Sequence, residues 1–294
     1  SLGVRQIGFQ ETPITSMVKP ITKYCSQIKD PLKIKYELEK ALYIALNGRP
    51  GPVLIDIPDN LQREYINPKN LIGFSPEDYQ NNKKEFPSFI QVKETFFDLL
   101  MNSKRPVLIA GSGIHLSNME DEFIKFAEFL NIPIALTWGG ADLICHSHKL
   151  NIGTFGTHGM RHASFAVQNS DLIISLGSRL DTKSTGSPIT TFAREAKKVM
   201  IDIDPSELRK FSKFGLNFDL LIQEDLKEFF KIYNSHIPKY LDLNLEEWKI
   251  KINDWKINLS QEPKNYSSNL KLDPYRTFKI ISRYLPLNAY IYLD

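Results

Sequence analysis

Gly48–Gln62 reads GRPGPVLIDIPDNLQ. Gly48, Pro50, Gly51 and Pro52 crowd its first positions. Proline fixes φ and glycine accepts backbone conformations that other residues resist, so a tight turn is expected. Val53–Ile57 follows, short, apolar and β-branched. That pattern predicts a strand buried on both faces, as in a parallel sheet covered by helices. Pro58 ends it. Upstream, Pro31–Leu46 (PLKIKYELEKALYIAL) predicts a helix. Asp30 suits its cap, Pro31 its first turn, and Gly48 its end. Leu38, Ala41, Leu42 and Ala45 recur at helical spacing along one apolar stripe. Helix, turn and buried strand together make the closing unit of a parallel α/β sheet.

Downstream, Arg63–Ser88 is polar and proline-punctuated, with no sustained period, and reads as a linker. A second α/β unit begins with a helix at Val92–Asn102. RPVLIAGSG (Arg105–Gly113) is a strand entering a glycine turn, Asn118–Leu130 an amphipathic helix, and IPIALT (Ile132–Thr137) another strand. SDLIISLGSRLD (Ser170–Asp181) and KKVMIDIDPSEL (Lys197–Leu208) repeat the pattern. Strands alternating with helices predict a doubly wound parallel sheet, which binds ligands at the carboxyl ends of its strands. Those ends carry GSG, TWGG, GSRLD and DIDP. His236–Leu272, rich in Lys, Asn and Trp, reads as a second linker; Asp273–Leu285 predicts a helix and Ala289–Asp294 a strand. One helix and one strand cannot bury a sheet at either end of the chain. The expectation is therefore an internal stretch of a three-domain chain. Residues 1–62 would close a first domain, 63–90 link, 91–235 form the central domain, 236–272 link, and 273–294 open a third.

Composition narrows the function classes. The chain has 294 residues, 42% hydrophobic and 24% charged, with a formal net charge of +3. The lysines are spread out, so no nucleic-acid partner is expected. No apolar run reaches ~18 residues, so no membrane span is expected. The start, SLGVRQIGFQE, lacks the basic cluster and apolar core of a signal peptide. Cys25 and Cys145 sit far apart without metal spacing, which favours a reduced cytoplasmic setting.

Three motifs carry possible chemistry. Gly111, Ser112 and Gly113 follow a strand and open toward a helix, where glycine amides approach a phosphate. A purely structural turn explains them equally well, and Leu116 stands where a dinucleotide fingerprint needs its third glycine. In GTFGTHGMRHAS (Gly153–Ser164), Gly153, Gly156 and Gly159 surround His158. Such a loop lets main chain lie flat against a planar or phosphorylated group; a histidine satisfied within its loop is the plainer reading. His162 lies one helical turn on, but no third ligand is at hand, so no metal is expected. In GSRLDTKSTG (Gly177–Gly186), Arg179 suits a phosphate or carboxylate, or a surface ion pair with Asp181.

Taken together, these pieces resemble the thiamine diphosphate enzyme superfamily, and within it the acetolactate synthase-like proteins. The carrying residues are RQIGFQETPITSMVKPITKY (Arg5–Tyr24), GRPGPVLIDIPDNLQ, the GSG turn, GTFGTHG, and GSRLDTKSTG with IDIDPSEL. They are collinear from Arg5 to Asp294. The resemblance implies a central domain flanked by partial thiamine diphosphate-binding domains and a homo-oligomer, dimer or tetramer, with active sites at a dimer interface. It also implies Mg²⁺ bound with the diphosphate, and FAD held in a structural, non-redox role. Thiamine diphosphate supplies the carbanion that attacks a 2-oxo acid carbonyl, and CO₂ is lost before the remainder meets a proton or a second carbonyl.

By motif, Phe9 and Gln10 would lie beside the thiazolium, His158 would point toward the reaction centre, and Lys183 would grip substrate. Arg49, Gly111–Gly113, Thr137, Trp138, Gly139, Gly153, Gly156, Gly159, Gly177, Ser178, Arg179, Asp181, Thr185, Asp202, Ile203 and Asp204 would line the FAD or vestigial nucleotide site. The activating glutamate and the Gly-Asp-Gly metal run have no counterpart in these residues, so the segment alone is expected to be inactive. Acetolactate synthases carry a lysine where Asp59 stands, Asp-Arg where Thr182-Lys183 stands, a methionine at Thr157 and an asparagine at Leu116. These departures suit another 2-oxo acid or an aldehyde acceptor. The competing reading is a non-catalytic module that holds FAD, ADP or CoA in its central domain.

Overall fold

The structure, a computed structural model, describes residues 12–79, 84–238, 241, 243–259, 274–286 and 289–292. It contains two parallel sheets, one of two strands and one of six.

The small sheet pairs β1 (Tyr24–Gln27) with β2 (Val53–Asp56), Tyr24 opposite Val53. The helix Ile34–Leu46 packs on both strands. Its entry is a 3-10 turn, Pro31–Lys33, where the Asp30 carboxylate accepts the Leu32 N–H at 3.0 Å. Gly48 takes φ +65°, and Lys23 Nζ donates to Asn47 O (2.7 Å) and Arg49 O (2.8 Å), satisfying carbonyls the helix end leaves open. The strand β2 is half-buried, not buried on both faces as expected. It pairs only with β1 among the described residues, and the pair is covered by the helix Ile34–Leu46 and the short helix Ile14–Val18 alone.

The large sheet holds β3 (Pro106–Ala110), β4 (Ile134–Leu136), β5 (Asn151–Thr154), β6 (Leu172–Leu176), β7 (Lys197–Asp202) and β8 (Leu220–Gln223). Their spatial order is β5-β4-β3-β6-β7-β8, all parallel. This is the doubly wound sheet expected of the central domain. Alternate side chains feed opposite cores: Leu108, Ile174 and Ile201 face one, Ile109, Ile173 and Met200 the other. The first core is dense in aromatic rings, with Phe89, Phe96, Phe126 and Tyr233 around Phe229 at centroid distances of 4.7–6.2 Å. Edge-to-face pairs at such distances add to simple area burial.

Both linkers carry more structure than expected. Phe74 and Tyr79 pack on Tyr43 of the helix Ile34–Leu46, and Phe74 N–H donates to Glu39 Oε2 at 2.8 Å. The segment from Lys84 is fastened instead to the end of β8: Gln223 Oε1 accepts the amides of Glu85 and Phe86, and Gln223 N–H donates to Pro87 O. A Ser88–Gln91 capping box then starts the helix Phe89–Met101. In the second expected linker, Glu246–Asn258 is a helix. Trp248, Ile252 and Trp255 fall on one helical face and pack into the second core, with Trp248 Nε1–H donating to Pro106 O at 3.1 Å. The expected terminal helix appears as Pro274–Ile281, but residues 289–292 form no strand. No other strand pairs with them among the described residues, and a lone strand leaves its backbone donors unpaired.

Candidate functional site at the carboxyl edge of the sheet

The chain winds outward from β3 in one direction through β4 and β5, and in the other through β6, β7 and β8. The crevice of such a sheet opens where the order reverses, between β3 and β6. Gly111–Gly113 and Gly177 meet there. Gly111 N–H donates to Leu176 O (3.0 Å), Gly113 N–H to Gly177 O (2.8 Å), and Gly177 takes φ +56°. A Cβ at Gly111 would lie 2.3 Å from Gly177 O, and one at Gly113 2.6 Å from Gly177 Cα. Backbone contact between the two turns thus accounts for these glycines. The Gly113 amide is already bonded, and Gly113–Leu116 is a single turn. The longer helix starts at Glu120, with Glu120, Asp121 and Glu122 in its first turn.

A cleft of about 750 Å³ opens beside this point, lined by Arg49, Ser112, Thr137–Gly139, Thr157, His158, Ser178, Arg179, Asp181 and Lys183 among others. It adjoins a second section that shares Arg49, Ser112 and Arg179 and adds Gly113, Leu116, Gly177, Asp202, Ile203, Glu207 and Glu224. Arg49 enters from the Gly48–Pro52 turn. Its NH1 meets Glu207 Oε1 at 3.0 Å and Asp204 Oδ2 at 3.4 Å, tying the small sheet to the end of β7. Trp138 is exposed and stands edge-on to His158, centroids 6.0 Å apart. The two glycine-rich loops are joined by Thr157 N–H donating to Lys183 O at 2.8 Å.

Charge in the cleft is mixed. Burial pushes the Asp202 carboxyl up to about 6, and the Asp204 amide donating to Oδ1 at 2.9 Å offsets this only in part. Burial also opposes ionisation of Asp204, but bonds from Ser206 and Arg49 win and hold it below the usual carboxylate range. Arg179 and Asp181 stand 3.8 Å apart and largely exposed, a loose pair of little energetic weight. Asp181 instead caps a turn, accepting the amides of Lys183 and Ser184, both at 3.1 Å.

The other expected site residues lie elsewhere. Gly153 (φ +89°) is inside β5 against Met160, and Gly156 (φ +100°) lies against Lys183 O. Gly159 abuts Phe155. Thr185 is buried and donates to Asp181 O, and Gly111 is walled in by Gly177 and Ser178. Asp204 faces the crevice on the far side of Arg49. Asp59 is exposed and pairs with Arg63 at 2.9 Å. Phe9 and Gln10 lie outside the described residues. His162 is buried away from the cleft on the helix Arg161–Gln168, its Nε2 without a partner and its basicity lowered by burial. Among the described residues no cluster suited to a metal occurs. No helix there is long and apolar enough to cross a membrane.

Sequence reading passed over Glu207, Lys210 and Glu224. Glu224 is buried and accepts Lys84 Nζ (2.5 Å) and the Phe89 amide (3.2 Å). Its signal was available: LLIQED at Leu220–Asp225 is one more apolar run ending in polar residues.

Residues 94–231 match the family model described as thiamine pyrophosphate enzyme, central domain. The chain belongs to the thiamine diphosphate enzyme superfamily and is acetolactate synthase-like. It is 34% identical over 269 residues to a probable acetolactate synthase large subunit of Methanococcus aeolicus, covering 89% of this chain and 42% of that protein. Against the acetolactate synthase large subunit of Lactococcus lactis it is 33% identical over 302 residues, covering 100% of this chain and 49% of the relative. A probable large subunit of Methanocaldococcus jannaschii is 37% identical over 211 residues, 69% of this chain and 34% of that protein. The chain thus spans about half the length, or less, of the curated relatives it matches. Similarity runs through the whole chain, not the central domain alone, which removes support for a free-standing nucleotide module.

Proposed function

We propose that the intact protein is a thiamine diphosphate-dependent carboligase, a transferase or lyase that decarboxylates a 2-oxo acid and joins the remainder to a second carbonyl compound. Collinear similarity to acetolactate synthase large subunits across the whole chain carries this reading. Thiamine diphosphate with Mg²⁺ would supply the carbanion chemistry. This chain's own residues would position and enclose. His158 and Lys183, exposed at the cleft mouth, would face substrate. Lys183 offers a point charge rather than the planar fork of an arginine, which relaxes the grip on a carboxylate. With Asp59 and Thr157, this favours an acceptor other than a second pyruvate.

The cleft would take an ADP-containing nucleotide such as FAD. The residues fit in kind. Arg49 and Arg179 suit a diphosphate, Asp202 at the end of β7 suits ribose hydroxyls, and exposed Trp138 suits stacking. A homo-oligomer and a cytoplasmic setting accompany this reading. The test is incubation of the intact protein with ¹³C-labelled pyruvate, thiamine diphosphate, Mg²⁺ and a panel of aldehyde and 2-oxo acid acceptors. A new ¹³C–¹³C or ¹³C–¹²C linked product supports the reading; CO₂ release without any ligated product reduces it to a decarboxylase, and neither refutes it.

A further inference from the structure

Arg49 and Arg179 both line the cleft but come from separate parts of the fold, the turn before β2 and the loop after β6. One side chain reaches both. Glu207 sits in the short helix Pro205–Arg209 after β7, its side chain 15% exposed. Glu207 Oε1 accepts from Arg49 NH1 at 3.0 Å, and Oε2 from Lys210 Nζ at 2.5 Å. Lys210 Nζ also donates to the backbone carbonyl of Arg179. From these contacts we infer that Glu207 is a positioning residue of the nucleotide cleft, fixing Arg49 directly and the Arg179 turn through Lys210. The inference rests on the nucleotide reading proposed above.

Two details favour positioning over mere neutralisation. Glu207 and Asp204 meet the same guanidinium nitrogen, NH1. Nε and NH2 of Arg49 have no acceptor among the described residues, so the side chain is held while its remaining donors stay free for a ligand. The second detail is strain. Leu180, directly after Arg179, takes φ +45°. A non-glycine residue there persists only where its surroundings over-determine it. Lys210 on the preceding carbonyl and Ser178 Oγ accepting the Leu180 amide at 3.2 Å are such constraints. Without Glu207, Lys210 loses its only carboxylate partner among the described residues, and the turn loses a brace.

Charge alone predicts the opposite of positioning. Glu207 is an anion beside a site for anions, so its neutralisation would strengthen phosphate binding if it did nothing else. The sign of one measurement therefore decides. ADP binding to the intact protein would be measured by calorimetry for wild type, Glu207→Gln and Glu207→Asp. The expected result is about fivefold weaker binding for Glu207→Gln, about 1 kcal/mol at ~1.4 kcal/mol per tenfold, despite the lost negative charge. Glu207→Asp keeps the charge and should recover most of the affinity; it also serves if the glutamine variant folds poorly. In an Arg49→Ala, Lys210→Met background, Glu207→Gln should no longer weaken binding, since both routes are gone and only the relief of charge repulsion remains. Binding by Glu207→Gln as tight as wild type, or tighter, overturns the inference, as does an undiminished effect in that background. If wild type itself takes up no ADP, the nucleotide reading falls, and this inference with it.

Discussion

Gly113→Ala tests the backbone contact on which the cleft is built. The new methyl would sit 2.6 Å from Gly177 Cα and 2.8 Å from Gly177 O, against 3.4–4 Å for ordinary contact. Neither turn has room to retreat. Gly113 N–H holds Gly177 O at 2.8 Å, Gly111 N–H holds Leu176 O at 3.0 Å, and Gly177 N–H holds Ile201 O at 3.1 Å. Overpacking costs about 1–3 kcal/mol where side chains can yield. Here the backbone must move, so the loss should reach about 3 kcal/mol or more. Gly215→Ala is the control in the same domain. Gly215 takes φ +77°, and its nearest neighbour is a side-chain methyl, Thr190 Cγ2, at 3.2 Å. That substitution should cost only the left-handed strain, about 1–2 kcal/mol. Urea unfolding followed by the fluorescence of buried Trp248 reads both. Were Gly113→Ala to cost no more than Gly215→Ala, the turns would not be in the contact described, and a ligand-based reason for the glycines would be needed.

Asp202 has its carboxyl raised to about 6, so its stabilising contribution exists below the unfolded value and is lost as pH rises through about 6. Asp202→Asn should therefore stabilise the protein at about pH 8, by up to about 2 kcal/mol, while weakening ADP binding. His115 bonds Glu120 (2.8 Å) and Asp142 (2.9 Å) through its two ring nitrogens; burial lowers its basicity, but the carboxylates more than compensate and raise it. Its contribution should be full below about pH 6.5 and fade as pH rises through the raised value, so the urea midpoints of wild type and His115→Gln should converge toward about pH 9. Trp248→Ala removes the buried ring that docks the helix Glu246–Asn258; a loss of about 3–5 kcal/mol should appear as early proteolysis in that helix.

Much of the fold was legible because its strands are strongly patterned. PVLIA, LIISL and KKVMID are continuous apolar runs next to polar ends, which a doubly wound sheet requires. The strand β5 was hidden because NIGT is an edge segment with one large apolar residue, and it was absorbed into the glycine-rich loop after it. The helix Glu246–Asn258 was hidden by composition: lysines and asparagines dilute a stripe that rests on Trp248, Ile252 and Trp255. At the site, residues at strand ends were legible from the topology rule, which places Ser112, Arg179 and Asp202 on one edge. Glu207 was not, because its role depends on Arg49, far away in the chain and brought near only by docking of the small sheet. The glycines of the GSG turn fit a ligand-facing and a structural role equally, because sequence cannot distinguish a turn approached by a phosphate from one approached by another turn.

The central claim is that this chain serves thiamine diphosphate chemistry, and calorimetric titration of the intact protein with thiamine diphosphate tests it most directly. A saturable heat that appears with Mg²⁺ and vanishes with a chelator is the predicted result. A flat titration with Mg²⁺ present, from protein whose fold is verified by circular dichroism, would contradict it.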